Sequence, residues 1–442
     1  MSKCYRVIFE TYDKSCPEKT LSKKEIIEDE LKKPNNCLDF GMGFSNQLIA
    51  LEGIQDAVLL EKIKLLQENQ STCLKCENKM SKFGSHTSSF HDVLTDHRVE
   101  IPRMKCLKCK YEAPSTVRTI INDRLSGDLK KIQATLGASH SYRESENILE
   151  LFANQRRRIN NHSRVKKVVE SVGECVSKIN DEEKEMIASH HAKELVLNVD
   201  GGHVKTIEDQ RSFEAMVSVV YKPESVESNK KRSRNFITSK NCAASIKDDD
   251  QSHIISSTII ASLKQGLSST THVTALCDGA QNCWNVAKAL EPLCASITYI
   301  LDWFHLAMKF QNIALPKDLK EKLMRIKWHL WRGDTDNAMV KLDTLLELTT
   351  EEKHQDRIQK LKTYINNNKD KIVDYSQREK DKLVFTSNLA ESTVESLINQ
   401  RCKGHQHMRW SRDGLNPVLQ LRASIHSNDW DNKWKTAVLN AA

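Results

Sequence analysis

Asp200 closes the apolar run KELVLNVD and is followed by two glycines. Asp278 closes THVTALCD and is followed by one, and Asp302 closes ASITYILD with His305 three residues on. Short apolar runs of this kind read as buried strands of an open α/β sheet, which gathers its reactive groups at strand ends. Carboxylates drawn into one cleft repel one another and are tolerated when divalent cations neutralise them. Two such ions, Mg2+ or Mn2+, can activate a nucleophilic oxygen and stabilise a leaving oxygen during displacement at phosphorus. A further acid is then expected on a later helix, and AESTVESLINQRCKG offers Glu391 and Glu395, one helical turn apart.

A second chemistry is written in cysteine. Cys73 and Cys76, and again Cys106 and Cys109, occur in identical Cys-Leu-Lys-Cys quartets joined by a segment with strand-like alternation. Two thiolates three residues apart reach one ion from a single turn, and two such turns close a tetrahedral site. The spacing predicts a zinc ribbon whose Zn2+ is structural, since no coordination position stays open. Thirteen cysteines, an odd number in a lysine-rich chain, fit thiols and metal ligands better than a secreted disulfide framework.

Between these chemistries, Ser141-x-x-Glu144 is a capping box opening a helix with Ile148, Leu149 and Phe152 on one face. Asn160-Asn161 then supplies N-caps for a second helix. The pair reads as a helix-turn-helix presenting Asn161, His162, Arg164, Lys166 and Lys167 to DNA while Val165, Val168 and Val169 face inward, or as two ordinary helices with a solvated charged face. A second basic group, Arg401, Lys403, Arg409 and Arg412 with Trp410 among them, follows the later acids and is placed to hold DNA backbone or simply to be solvated. A further basic run, Lys230, Lys231, Arg232 and Arg234, sits in a polar loop.

The elements that must position these groups follow from composition and period. The chain has 442 residues, 67 Lys+Arg against 59 Asp+Glu for a net charge of +8, and only 14 Gly and 8 Pro, so most of it is expected in helices and compact α/β structure. No stretch approaches the ~20 apolar residues of a membrane span, and the first residues lack the apolar core of a signal peptide, so a cytoplasmic location is expected. Residues 1–70 read as a helical region, with SKKEIIEDELKK as a charged helix and a packing or dimerising helix after it. The zinc ribbon is assigned to 71–112, the helix-turn-helix region to 113–180 and the first part of a catalytic domain to 190–308. A charged, almost glycine-free segment at 309–384 is an all-helical insertion, and 385–442 returns to the catalytic domain. Within the insertion Trp328 and Trp331 are placed either to pack in its core or to stack on an unpaired base.

Taken together, VDGGHV at Asp200, LCDGAQNCW at Asp278, DWFH at Asp302 to His305, AESTVESLINQRCKG at Glu391 and MRWSRDGLNPVLQLRA resemble the transposases of bacterial insertion sequences of the Kra-type group. The resemblance covers roughly residues 70 to 430 and implies an α+β multidomain chain whose RNase-H-like catalytic fold is split by the helical insertion. It implies a DDE triad of Asp200, Asp278 and Glu391 holding two Mg2+ or Mn2+ ions. It prefers Glu391 to Glu395, and gives Asp302 and His305 a supporting or strand-positioning role rather than metal ligation in the main site. The implied activity is DNA transposition: binding of terminal inverted repeats, then cleavage and strand transfer into target DNA. The implied partners are those double-stranded DNAs and further copies of the chain, at least a dimer on DNA, with no membrane; the chain is nucleoid-associated when so bound. Two alternatives remain at this point, a transposase-derived DNA-binding regulator without catalysis and an RNase-H-like nuclease.

Overall fold

The computed structural model describes residues 3–37, 40–68, 72–121, 123–153, 155–183, 191–208, 211–229, 234–247, 249–403 and 408–441. The basic run at 230–232 lies outside them. The chain is mixed α/β and divides into two units, Met1–Ser171 with Val438–Ala442, and Val172–Ala437. Among the described residues, no helix is long and apolar enough to cross a membrane.

The first unit begins with a correction. Residues expected as a charged helix instead form β2 (Cys16–Leu31), paired antiparallel with β1 (Lys3–Asp13) in a long hairpin. In β1 exposure alternates residue by residue, with Tyr5, Val7, Phe9 and Thr11 on the more sheltered side. The charges of β2 answer partners across the hairpin: Arg6 pairs with Glu28 at 2.9 Å and Lys23 with Glu10 at 3.1 Å. A charge pattern that satisfies helical spacing satisfies cross-strand pairing equally well, and the β-branched partner strand decides. Helix α1 (Phe44–Glu68) follows and packs on β2, where Gly53 leaves no room for more than hydrogen against Ile26.

Next comes a three-stranded antiparallel sheet of β3 (Met80–His91), β4 (Asp96–Cys106) and β5 (Glu112–Ala113). Val99 and Ile101 of β4 join Ile63 of α1 and Val117 of α2 (Thr116–Ile120) in a small core. Helices α3 (Gly127–Ser139) and α4 (Tyr142–Glu150) follow, then one 3-10 turn and α5 (His162–Glu182). Ser141 caps α4 by accepting from the Glu144 N–H at 3.2 Å. Asn161 accepts from the Ser163 N–H at 3.0 Å, turning the chain into α5. Val165 and Val169 are fully buried, whereas Phe152, expected on one helix face with Ile148 and Leu149, lies beyond the end of α4 and is half-exposed.

The second unit is built on a five-stranded sheet. Its strands are β6 (Glu194–Lys205), β7 (Ser212–Tyr221), β10 (Lys240–Ser245), β11 (His272–Cys277) and β12 (Ser296–Leu301), with a small side hairpin of β8 (Val226–Asn229) and β9 (Arg234–Ile237) between β7 and β10. The spatial order is β10-β7-β6-β11-β12, which in chain order of the five is 3-2-1-4-5. The first three are antiparallel; β6, β11 and β12 are parallel. Helices α6 (Ser252–Lys264) and α7 (Gln281–Lys288) return the chain between the later strands. After β12 come α8 (Trp303–Asn312), α9 (Lys317–Trp331), α10 (Thr335–Glu347), α11 (Glu352–Asn367) and α12 (Tyr375–Lys380). Then α13 (Asn388–Val394), a π turn (Glu395–Asn399) and a last helical turn, α14 (Gln400–Cys402), lead to α15 (Arg412–His426), which packs on β10, and to α16 (Trp430–Asn440).

Candidate functional site

Register places the acids. β6 and β11 pair from Glu194 opposite His272 to Val199 opposite Cys277, and β11 and β12 pair up to Cys277 opposite Leu301. The next residue on each strand is the acid, so Asp200, Asp278 and Asp302 stand side by side where the parallel ladder stops. Parallel neighbours lie ~4.8 Å apart, so adjacent carboxylates share one cleft. One expectation needs amending: Asp200 does not end its strand. β6 runs on to Lys205 because β7 continues to pair with it, Asp200 opposite Val217.

The three aspartates then part in function. Asp302 is 1% exposed and wholly occupied by the fold. Its carboxylate accepts from the Ser387 N–H at 2.8 Å and the Ser387 hydroxyl at 2.6 Å, and caps α8 by accepting from the N–H groups of Phe304 and His305. Ser387 immediately precedes α13, so this bond fixes the helix that carries Glu391. Asp278 folds its Oδ1 back to accept from the Ala280 N–H at 2.9 Å, and its carbonyl accepts from the Tyr364 hydroxyl of α11 at 2.6 Å. Gly279 has φ +97, and a Cβ there would meet the Tyr364 ring at 2.7 Å, so only glycine fits the turn.

Asp200, Asp278, Asp302, His305 and Glu391 line one cavity together with Asn198, Ser387 and Ala390. Within it, ligand atoms of Asp200, His305 and Glu391 lie within 4.8 Å of one another. Burial pushes the Asp200 carboxyl above its usual range, opposed by the His305 ring and by the Gly201 N–H, and reinforced by Asp278 and Asp302. Burial likewise raises Glu391, with Asp200 adding to it and His305 opposing. A cation in the cavity would relieve both. Glu395 is exposed, accepts from the Asn399 side chain, and is not among the residues lining the cavity, although its charge adds to the rise at Glu391.

The cysteines form a second cluster. All four sulfurs lie within 4.8 Å of one another, with Cys73 to Cys109 at 3.6 Å and Cys76 to Cys106 at 3.4 Å. A tetrahedron with Zn–S ~2.3 Å has edges of about 3.8 Å, so the spacing fits one thiolate-loving ion. The two turns are built alike. Each first cysteine donates its N–H to the carbonyl five residues on, at 2.8 Å in both, and Glu77 and Lys110 each take a left-handed conformation one residue after the second cysteine. The Asn78 backbone N–H, followed by the neighbouring thiols, brings Cys76 down to about 6, while at Cys109 the Tyr111 N–H is outweighed by burial and the surrounding thiols, which raise it to about 12.

The basic residues sort into exposed and structural ones. Arg164 and Lys167 are exposed and, with Arg156, Arg158, Asn161 and Ser163, line an open cavity at the start of α5. His162 is tied to Glu146 through both its N–H (2.9 Å) and its Nδ1 (2.8 Å), and Lys166 pairs with Glu170. Arg157, 4% exposed, donates to the carbonyls of Asp92, Val93 and Thr95 and to Asp96, locking the β3–β4 turn beneath this cavity. In the second unit Arg401 is 2% exposed and stacks on Trp410, while Arg412 bonds the Ile246 carbonyl and Glu208. Both guanidinium groups are engaged within the fold, Arg401 buried and Arg412 27% exposed. Lys403 and Arg409 are exposed, and the Lys403 Nζ lies 3.5 Å from where a Cβ on Gly202 would sit, two residues past Asp200. Trp331 packs with Trp303, Tyr375 and Phe385, whereas Trp328 touches it edge-on and is 50% exposed.

Sequence reasoning missed Ser387, Tyr364 and Glu214. Glu214 fills the space over Gly201 and accepts from the Asn282 side chain at 2.8 Å, and the double glycine after Asp200 was the one available signal for it. No curated protein matches the chain. A family model matches residues 123–436, a span that begins after the cysteine cluster and contains the whole acidic cavity. By that match the chain belongs to the uncharacterised protein family UPF0236.

Proposed function

We propose that the chain is a DNA transposase of the DDE type, with an RNase-H-like catalytic unit and a DNA-recognition unit built from a zinc ribbon and a helix-turn-helix. The observation that carries the reading is the alignment of Asp200 and Asp278 on adjacent parallel strands with Glu391 converging on them from a helix more than a hundred residues on. The 3-2-1-4-5 strand order supports the RNase-H-like assignment. The donor set of carboxylates fits a hard divalent cation such as Mg2+ or Mn2+. When bound, such ions supply charge neutralisation and activation of the attacking oxygen. The residues supply position: the ladder sets the two aspartates, the Asp302 to Ser387 bonds set the third acid, and Lys403 offers a positive charge to the phosphodiester backbone. In the recognition unit Arg158, Arg164 and Lys167 are free to meet phosphates, and Asn161 at the mouth of α5 lies at the end from which recognition helices read bases.

A regulator without chemistry is the weaker reading, because a binding protein gains nothing from acids whose burial raises their carboxyl groups. The test is incubation of the full chain with DNA bearing the repeats that flank its gene, with Mg2+ or Mn2+, and mapping of cleavage positions. Asp200→Asn, Asp278→Asn and Glu391→Gln are expected to abolish cleavage while repeat binding stays within a few-fold, and Glu395→Gln to cleave normally. Robust cleavage by any of the first three refutes the triad. Cleavage indifferent to the repeat sequence points to a nuclease instead.

A further inference from the structure

We propose that His305 is itself a metal ligand, completing with Asp200 and Glu391 a two-carboxylate, one-imidazole site that favours Mn2+-like ions over Mg2+. The proposal rests on the metal-dependent reading above and departs from the supporting role that the motif resemblance implies. Three observations carry it. Ligand atoms of Asp200, His305 and Glu391 lie within 4.8 Å of one another, and among the described residues Asp278 is not part of that group. The His305 Nδ1 is buried without a hydrogen-bond partner among the described residues; its nearest acid oxygen, on Asp302, is 3.6 Å away. Asp302 has its oxygens committed to Ser387 and to the first turn of α8, so it does not hold the ring. A buried ring nitrogen left without a partner beside two carboxylates is the donor set of a cation site.

The chemistry agrees. α8 starts at the end of β12, so the first turn of the helix swings His305 back over the cleft while its cap residue anchors it. Imidazole is a softer donor than carboxylate and suits later first-row ions, whereas Mg2+ prefers oxygen alone. Asp278, on the rim of the same cavity, is left for a second ion or for the scissile phosphate region.

The experiment is Mn2+ titration of the zinc-loaded full chain, followed by electron paramagnetic resonance, with pulsed spectra of the bound ion. Bound Mn2+ with a nitrogen hyperfine coupling is expected, because His305 is the one histidine lining the cavity among the described residues. His305→Gln is expected to lose the coupling and weaken binding about tenfold or more, while Asp278→Asn keeps the coupling. Bound Mn2+ without nitrogen coupling in the unmodified chain overturns the role of His305, whatever the variant does, and leaves the carboxylate reading standing. So does coupling that persists in His305→Gln. No Mn2+ bound at all, or binding undiminished in an Asp200→Asn, Glu391→Gln double variant, overturns the metal centre itself.

Discussion

Replacing Asp302 by alanine tests whether this acid is structural. The carboxylate is buried and accepts two hydrogen bonds from Ser387, at 2.8 and 2.6 Å, and it caps α8. Hydrogen bonds to a charged acceptor are worth roughly 1.5–3 kcal/mol each, and an N-cap about 1 kcal/mol. The expected loss is therefore at least about 4 kcal/mol, since alanine also strands the Ser387 N–H and hydroxyl in a buried place. With a urea m-value near 2–3 kcal/mol per M, the midpoint should fall by about 1.5 M. Tryptophan fluorescence reads the right region, because Trp303 adjoins Asp302 and packs on Trp331 and Tyr375. Ser387→Ala should lose about 1.5–3 kcal/mol, and the double variant should be non-additive, as expected of residues in direct contact. An Asp302→Ala midpoint unchanged within about 0.3 M, or strict additivity with Ser387→Ala, refutes the argument and returns Asp302 to direct work in the cleft.

Two further outcomes are expected in the first unit. Replacing Cys73 and Cys106 together by serine should reduce bound zinc from one equivalent to none by elemental analysis and unfold the β3–β4–β5 sheet, since Cys73, Met80 and Cys106 are also its core; unchanged zinc refutes the four-thiolate site. His97, 1% exposed, lies between Asp92 at 3.0 Å and Asp56; burial lowers it, but the bonds and charges of the two aspartates prevail and raise it above its ordinary value. A raised folded-state value means the stabilisation is complete below about pH 6.5, the unfolded value, and fades as pH climbs through the folded one. Amide exchange in β4 should accordingly quicken beyond the intrinsic rate as pH climbs above about 6.5, and His97→Gln should remove the excess.

What could be read from residues alone was what local pattern determines. Buried parallel strands are continuous apolar runs, so β6, β11 and β12 announced themselves and delivered their acids. The capping Ser141 and the paired cysteine turns are local in the same sense. β2 was misread because its alternate charges meet partners on another strand, which spacing within one segment cannot reveal. β10 passed unnoticed because Asn241, Cys242, Ala243, Ala244 and Ser245 are small and only weakly apolar, although α6 and α15 bury them. Arg401 and Arg412 were grouped with Lys403 and Arg409 by charge, yet charge says nothing of whether a guanidinium stacks on Trp410 or faces water.

The helices between α8 and α13 do more than separate the third acid from the strands. Tyr364 of α11 bonds the Asp278 carbonyl, and its ring occupies the space that Gly279 leaves empty. Asn368, after the same helix, accepts from the Trp284 indole N–H of α7 at 3.0 Å, and Tyr375 of α12 donates to the Leu301 carbonyl at 2.7 Å, one residue before Asp302. Each bond lands on the end of a strand that delivers an acid, or on the turn or helix that follows it. A sheet alone fixes where its strands stop, but the loops beyond them are free to move, and carboxylates in a cleft push those loops apart. The inserted helices supply the opposing restraint: they hold the Asp278 turn and the end of β12 closed against that repulsion, while the chain leaving them is tied down by Asp302 just as it enters α13. The acidic cleft is thus held together by hydrogen bonds of the fold itself.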